Sequence, residues 1–155
     1  MISPERLRYY KFFSGLNDAQ IKEIAMIADQ EIHEGGRILF RKGMLAESLY
    51  FLEEGCVDLF YHTDGTPSAE FPDGIPVAEI TPGEPFSISA LIEPYVLTAT
   101  ALTSKPSRLI KIDAKELRAL FRKDKRLAFL LTEKASRVVI ERLQSTRIQL
   151  ASILA

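Results

Sequence analysis

The chain has 155 residues, 46% hydrophobic and 26% charged, the composition of a globular domain that can bury about two-thirds of its unfolded surface without staples. Its 20 Lys and Arg stand against 21 Asp and Glu, so no overall basic field marks it as a nucleic-acid binder. The single Cys56 forms no internal disulfide, no apolar run nears the roughly 20 residues of a membrane span, and MISPERLRYY lacks a signal peptide's apolar core, so a cytoplasmic protein with no membrane partner is expected.

Taken along the chain, PERLRYYKFFSGL predicts a short helix or turn that gathers Leu7, Tyr10 and Phe13 and ends at Gly15, with the aromatics packed on the main body. NDAQIKEIAMIAD follows as an amphipathic helix with Ile21, Ile24, Ala25 and Ala28 on one face and a capping box of Asn17 and Gln20. From Gln30 the period becomes two. The runs EIHEGGRILFRKG, ESLYFLEEGCVDLFYHTDGTP, IPVAEITPGEPF and VLTATALTSKPSRLIKID are rich in β-branched and aromatic residues and break at Gly, Asp-Gly or Pro. Asp64-Gly65 reads as a hairpin turn and Ser104 to Pro106 as a second loop tip. Short strands with regular turn signals predict a barrel or sandwich.

Helical period returns at DAKE, a second capping box (Asp113 with Glu116), and then Lys125 to Leu154 contains neither Pro nor Gly. Leu131, Ala135, Val139, Leu143, Leu150 and Ile153 form an apolar stripe there, interrupted at Thr146. A helix of this length measures roughly 45 Å, more than a small barrel covers, so part of the stripe needs a partner, and a homodimer is the expected one. The fold class is α+β: helical residues 1–29, a jelly-roll-like β-roll at 30–112 and helices at 113–155, read as one domain.

Helix, Gly36, Ile38, Gly43, then Tyr50, Leu52, Gly55 and Val57, then Pro82-Gly83-Glu84 and the long terminal helix together resemble the cyclic-nucleotide-binding domain family of the catabolite-activator type, from about Phe12 to the end. The resemblance implies a regulatory β-roll in which the turn after Pro-Gly-Glu opens a phosphate-binding cassette: Phe-Gly-Glu, an aliphatic, Ala-Leu, then an Arg followed by small residues. Phe86, Ala90 and Leu91 agree with it, and Thr98, Ala99 and Thr100 supply the small residues. The charged partners are absent, because Ser87 stands for the Gly, Ile88 for the ribose-binding Glu and Leu97 for the phosphate-binding Arg. Losing a desolvated Arg–phosphate pair costs roughly 2–5 kcal/mol, so tight binding of cyclic AMP is not expected.

The candidate ligand-binding residues are therefore Phe86, Ser87, Ile88, Ser89, Ala90, Leu97, Thr98 and Ala99. Two readings stay open: backbone amides near Ile88 to Ala90 and the nearby hydroxyls hold a cyclic nucleotide or another small molecule, or Ile88 and Leu97 fill the pocket and nothing binds. Arg37 and Arg41 share one strand face and either replace the missing Arg or sit in solvent. His33 and His62 have no ligands at metal spacing, Cys56 reads as a small buried residue, and no nucleophile or nucleotide-loop motif occurs, so neither a metal site nor an enzyme is expected. The related transcription factors append a helix-turn-helix after the long helix. Only Ala155 follows Leu154 here, so the expected partners are a second copy or an effector protein, with no direct nucleic acid.

Overall fold

A computed structural model describes residues 1–62 and 74–155. The chain opens with α1 (Pro4–Arg8), a 3-10 turn (Lys11–Phe13) and α2 (Asp18–Met26). Asn17 caps α2 in a full capping box: its side chain accepts from the Gln20 amide at 2.8 Å, and the Gln20 side chain accepts from the Asn17 amide at 3.0 Å. Ile21, Ile24 and Ala25 are buried on the expected face, whereas Ala28, equally buried, already belongs to the first strand.

Among the described residues six antiparallel strands follow: β1 (Ala28–His33), β2 (Ile38–Phe40), β3 (Ser48–Tyr61), β4 (Ile75–Ile80), β5 (Pro85–Phe86) and β6 (Thr100–Asp113). The long strands β3 and β6 pair from Ser48 with Asp113 to Phe60 with Thr100. One half of β6 also takes β1 and the other half β2, while β3 takes β5 and then β4, which rolls the sheet. The Asp64-Gly65 turn lies outside the described residues, although β3 and β4 do pair antiparallel on either side of it.

Ser104 to Pro106 is not a loop tip. The segment lies inside β6, where the register slips between the pairs Glu54 with Arg108, Cys56 with Lys105 and Val57 with Thr103. Pro106 has no amide for a ladder, and the bulges absorb it while bending the strand. Opposite them Gly55 has φ +103°, and a Cβ there would lie 2.7 Å from Cα of Ser107. Only glycine allows this corner.

The bent sheet separates two aromatic clusters. Phe51 points out to Tyr10, Phe12 and Phe13, with ring centroids 5.1, 5.3 and 4.9 Å away, so the N-terminal aromatics do pack on the body. Its neighbour Tyr50 points into the roll and stacks on Phe86 at 5.2 Å. The architecture is thus an α+β fold: a jelly-roll-like β-roll flanked by N-terminal helices and closed by α3 (Ala114–Lys123) and α4 (Lys125–Leu154).

Asp113 caps α3 through the Glu116 amide at 2.8 Å, but its own amide pairs with the Ile27 carbonyl at 3.2 Å, so the second capping box is only half formed. Asp124 caps α4 through the Leu127 amide and is held by Gln20 Nε2, both at 3.0 Å. The stripe on α4 divides. Leu131 and Ala135 are fully buried in this chain's own core beside Leu127, which corrects their assignment to a dimer seam. Val139, Leu143, Leu150 and Ile153 are 47%, 46%, 55% and 78% exposed. The cause is helical pitch: a helix turns about 100° per residue, so steps of four drift by about 40° each and carry the stripe off the domain.

Candidate functional site

The cassette begins where β4 ends. Gly83, at φ +98°, turns the chain so that its amide donates to the Leu52 carbonyl at 2.8 Å, while Leu52 donates back to Glu84 at 3.1 Å. These bonds pin Pro85 and Phe86 against β3. Ser87 then takes left-handed backbone angles, φ 64° and ψ 41°, where the resembled pattern places Gly. Its hydroxyl donates to the Ser48 carbonyl at 2.7 Å and is buried, so it is committed to the fold. A single 3-10 turn, Ile88–Leu91, follows, with the Ala90 amide donating to the Ser87 carbonyl at 3.1 Å.

Residues 93–99 return along residues 43–46. The Gly43 amide donates to Leu97 at 2.8 Å, Leu97 donates to Met44 at 2.8 Å, and Ala46 donates to Tyr95 at 2.7 Å. Arg118 of α3 ties both halves together, donating to the Ala90 carbonyl at 2.9 Å with its guanidinium carbon 4.1 Å from the Tyr95 ring centroid. The cassette is therefore clamped to the helices behind it.

Between these pieces lies a cavity of about 450 Å³. Six of the eight predicted residues line it: Ser87, Ile88, Ser89, Leu97, Thr98 and Ala99. Phe86 does not, being fully buried in the Tyr50 stack, and neither does Ala90, whose fully buried side chain packs in the core. Ile88 and Leu97, distant in sequence, meet on one cavity and are 8% and 4% exposed, so both are desolvated where the resemblance wants a carboxylate and a guanidinium. They line the space without filling it. The rest of the lining was not foreseen: Phe40, Leu59, Ile92, Glu93, Pro94, Val96, Val139 and Arg142.

Arg142 is the cation that the cassette itself lacks. It projects from α4, half-buried, and donates to the Pro85 carbonyl. Burial pushes its guanidinium below its ordinary value, with Glu84 and Glu141 acting the other way through space. A sequence signal existed, since Leu127, Leu131, Ala135, Val138 and Arg142 follow one another at fours and threes, which puts a charged residue on the face that packs on the domain. A second groove of about 480 Å³ lies on the far side of Arg142, lined by charged residues including Lys134, Arg137, Glu84 and Glu141.

Arg37 and Arg41 are exposed and line neither space. His33 Nε2 sits 2.9 Å from Glu31, which also accepts from Lys111 at 3.0 Å. Burial would raise the Glu31 carboxyl, but these bonds outweigh it and hold the group below its ordinary value. Cys56 is half-buried, not buried, with Sγ 3.8 Å from Asp58, and burial and Glu79 push the Asp58 carboxyl up.

Residues 31–124 match the sequence profile of the cyclic nucleotide-binding domain. No curated protein matches the chain. Among solved structures, a putative cyclic nucleotide-binding protein from Geobacter metallireducens is 36% identical with a TM-score of 0.81, over 92% of this chain and 99% of that one. The sensor domain of the transcriptional regulator DNR from Pseudomonas aeruginosa is 23% identical with a TM-score of 0.69, over 90% of each chain. The regulatory domain of Toxoplasma gondii PKA, solved with cAMP, is 21% identical with a TM-score of 0.70, over 86% of this chain and 48% of that one. The last two establish likeness of fold.

Proposed function

The chain belongs to the cyclic nucleotide-binding domain family, and from that premise we propose that it is a non-enzymatic regulatory domain whose pocket no longer selects cyclic nucleotides. One observation carries the reading: Ile88 and Leu97, apolar and desolvated, stand together on the cavity where a ribose and a cyclic phosphate would need charge. The response runs through α4, because Val139 and Arg142 of that helix form part of the same wall. Occupancy then biases the position of the helix, provided the ligand binds the two helix positions unequally.

The outer face of α4 supports a homodimer as the form in which this works. Phe129, Thr132, Ser136, Val139, Leu143, Thr146, Leu150 and Ile153 alternate at threes and fours and are all exposed, the pattern of a coiled-coil seam. The same exposed seam favours a second reading, in which the pocket is vestigial and α4 docks on an effector protein. Among the described residues no helix is long and apolar enough to cross a membrane, and the lone Cys56 fits a reducing, cytoplasmic setting. A thermal-shift screen of small molecules against the whole chain separates the readings. A true ligand at a hundred times its Kd adds about 2.7 kcal/mol of stability, and the vestigial-pocket reading expects no molecule to do so.

A further inference from the structure

The chemistry of the cavity narrows what it holds. Its depth is apolar: Phe40, Leu59, Ile88 and Leu97 offer carbon and no donor, and Val139, half exposed, edges it from α4. Such a depth favours an apolar body over a sugar or a base, whose polar edges would lose water there and find side-chain hydroxyls only at the more exposed Ser89 and Thr98. The charge on the wall is equally spare. Among the described residues Arg142 is its one cation, and Glu93, exposed to solvent, its one carboxylate.

Among the described residues Arg142 forms no ion pair, and its guanidinium donates to a single backbone carbonyl. No buried side-chain nitrogen or oxygen among those residues lacks a partner, so the guanidinium nitrogens that make no bond are not sealed from solvent, and Arg142 lines the cavity. A half-buried guanidinium beside an apolar cavity is a receptor for an acid head group, since the planar fork meets a carboxylate with two parallel bonds. One cation with a carboxylate nearby matches a single negative charge better than a double one.

Building on the reading of this cavity as a ligand site, we propose that it takes an apolar monocarboxylate, with the carbon body between the cassette and β2–β3 and the carboxylate on Arg142. The head group then touches α4 directly while the body touches the roll. Charge pairing at Arg142 thus determines which molecules reach the helix.

The test is calorimetry on the full chain with octanoate and with its neutral counterpart octan-1-ol. Octanoate should bind about tenfold to a hundredfold more tightly, the range that a hydrogen-bonded charge contributes. Arg142→Met, which keeps the apolar stem, should bring octanoate down to the level of octanol. Arg142→Lys should retain part of the preference, and Leu97→Trp, which fills the cavity, should weaken both. Equal binding of the two molecules, or a preference that survives Arg142→Met, overturns the inference and leaves the ligand site standing. Failure of both to bind the wild-type chain overturns the ligand site as well.

Discussion

Ser87 carries two opposed effects in one residue. Its left-handed backbone costs a residue with a side chain roughly 1–2 kcal/mol, while its buried hydroxyl bond to Ser48 returns about as much. Ser87→Gly should therefore fold within about 1 kcal/mol of wild type, since it loses the bond and the strain together. Ser87→Ala keeps the strain, loses the bond and should cost about 1–3 kcal/mol in urea unfolding. A Gly variant less stable than the Ala variant would contradict the assignment. Glu31 gives the residue scale a pH dependence. Its folded carboxyl is held below the ordinary 4.5, so its stabilising effect is complete above that pH and disappears as pH falls through the lower folded value. Glu31→Gln should thus be less stable than wild type at pH 6, with the two unfolding midpoints converging as the pH drops well below 4.5. A gap that persists unchanged into acid would mean that His33 and Lys111 do not hold the ionised form.

At the scale of elements, α4 is two helices in function. Leu131 sits in the core, and Leu131→Ala should destabilise the fold by about 2–5 kcal/mol through the cavity it leaves. Leu143 is 46% exposed, so Leu143→Asp should leave the protomer's unfolding nearly unchanged and shift sedimentation at micromolar concentration from dimer toward monomer. A wild-type chain that sediments as a monomer at tens of micromolar would favour the effector-docking reading. The bounds of α4 were legible because thirty residues without Pro or Gly admit little else, and Asn17 and Asp113 announced their helices through side-chain chemistry that acts locally. What escaped was non-local. The sequence Ser-Lys-Pro looks like a loop until the partner strand is known to carry Gly55 opposite it. A stripe of fours reads as a single face until the drift of the helix is followed past Ala135.

The whole molecule joins these scales, because the cavity has one wall in the cassette, one in the roll and one in α4. The cassette residues on it could be read from sequence by their resemblance to a known pattern. Arg142 and Val139 could not be placed on the cavity itself, since they reach it only once the first half of α4 has folded back over the roll. In the proposed function that geometry joins ligand selection to helix position. Arg118 extends the connection, since it holds the cassette to α3 through Ala90 and Tyr95. Under the proposed function, Ile88 and Leu97 remove cyclic-nucleotide selection from a pocket that keeps the scaffold of the cassette. Calorimetry of cyclic AMP against the wild-type chain and the double variant Ile88→Glu with Leu97→Arg tests it most directly. The account predicts wild-type binding no tighter than the high-micromolar range and a measurable gain in the double variant, whereas sub-micromolar binding to the wild-type chain would contradict it.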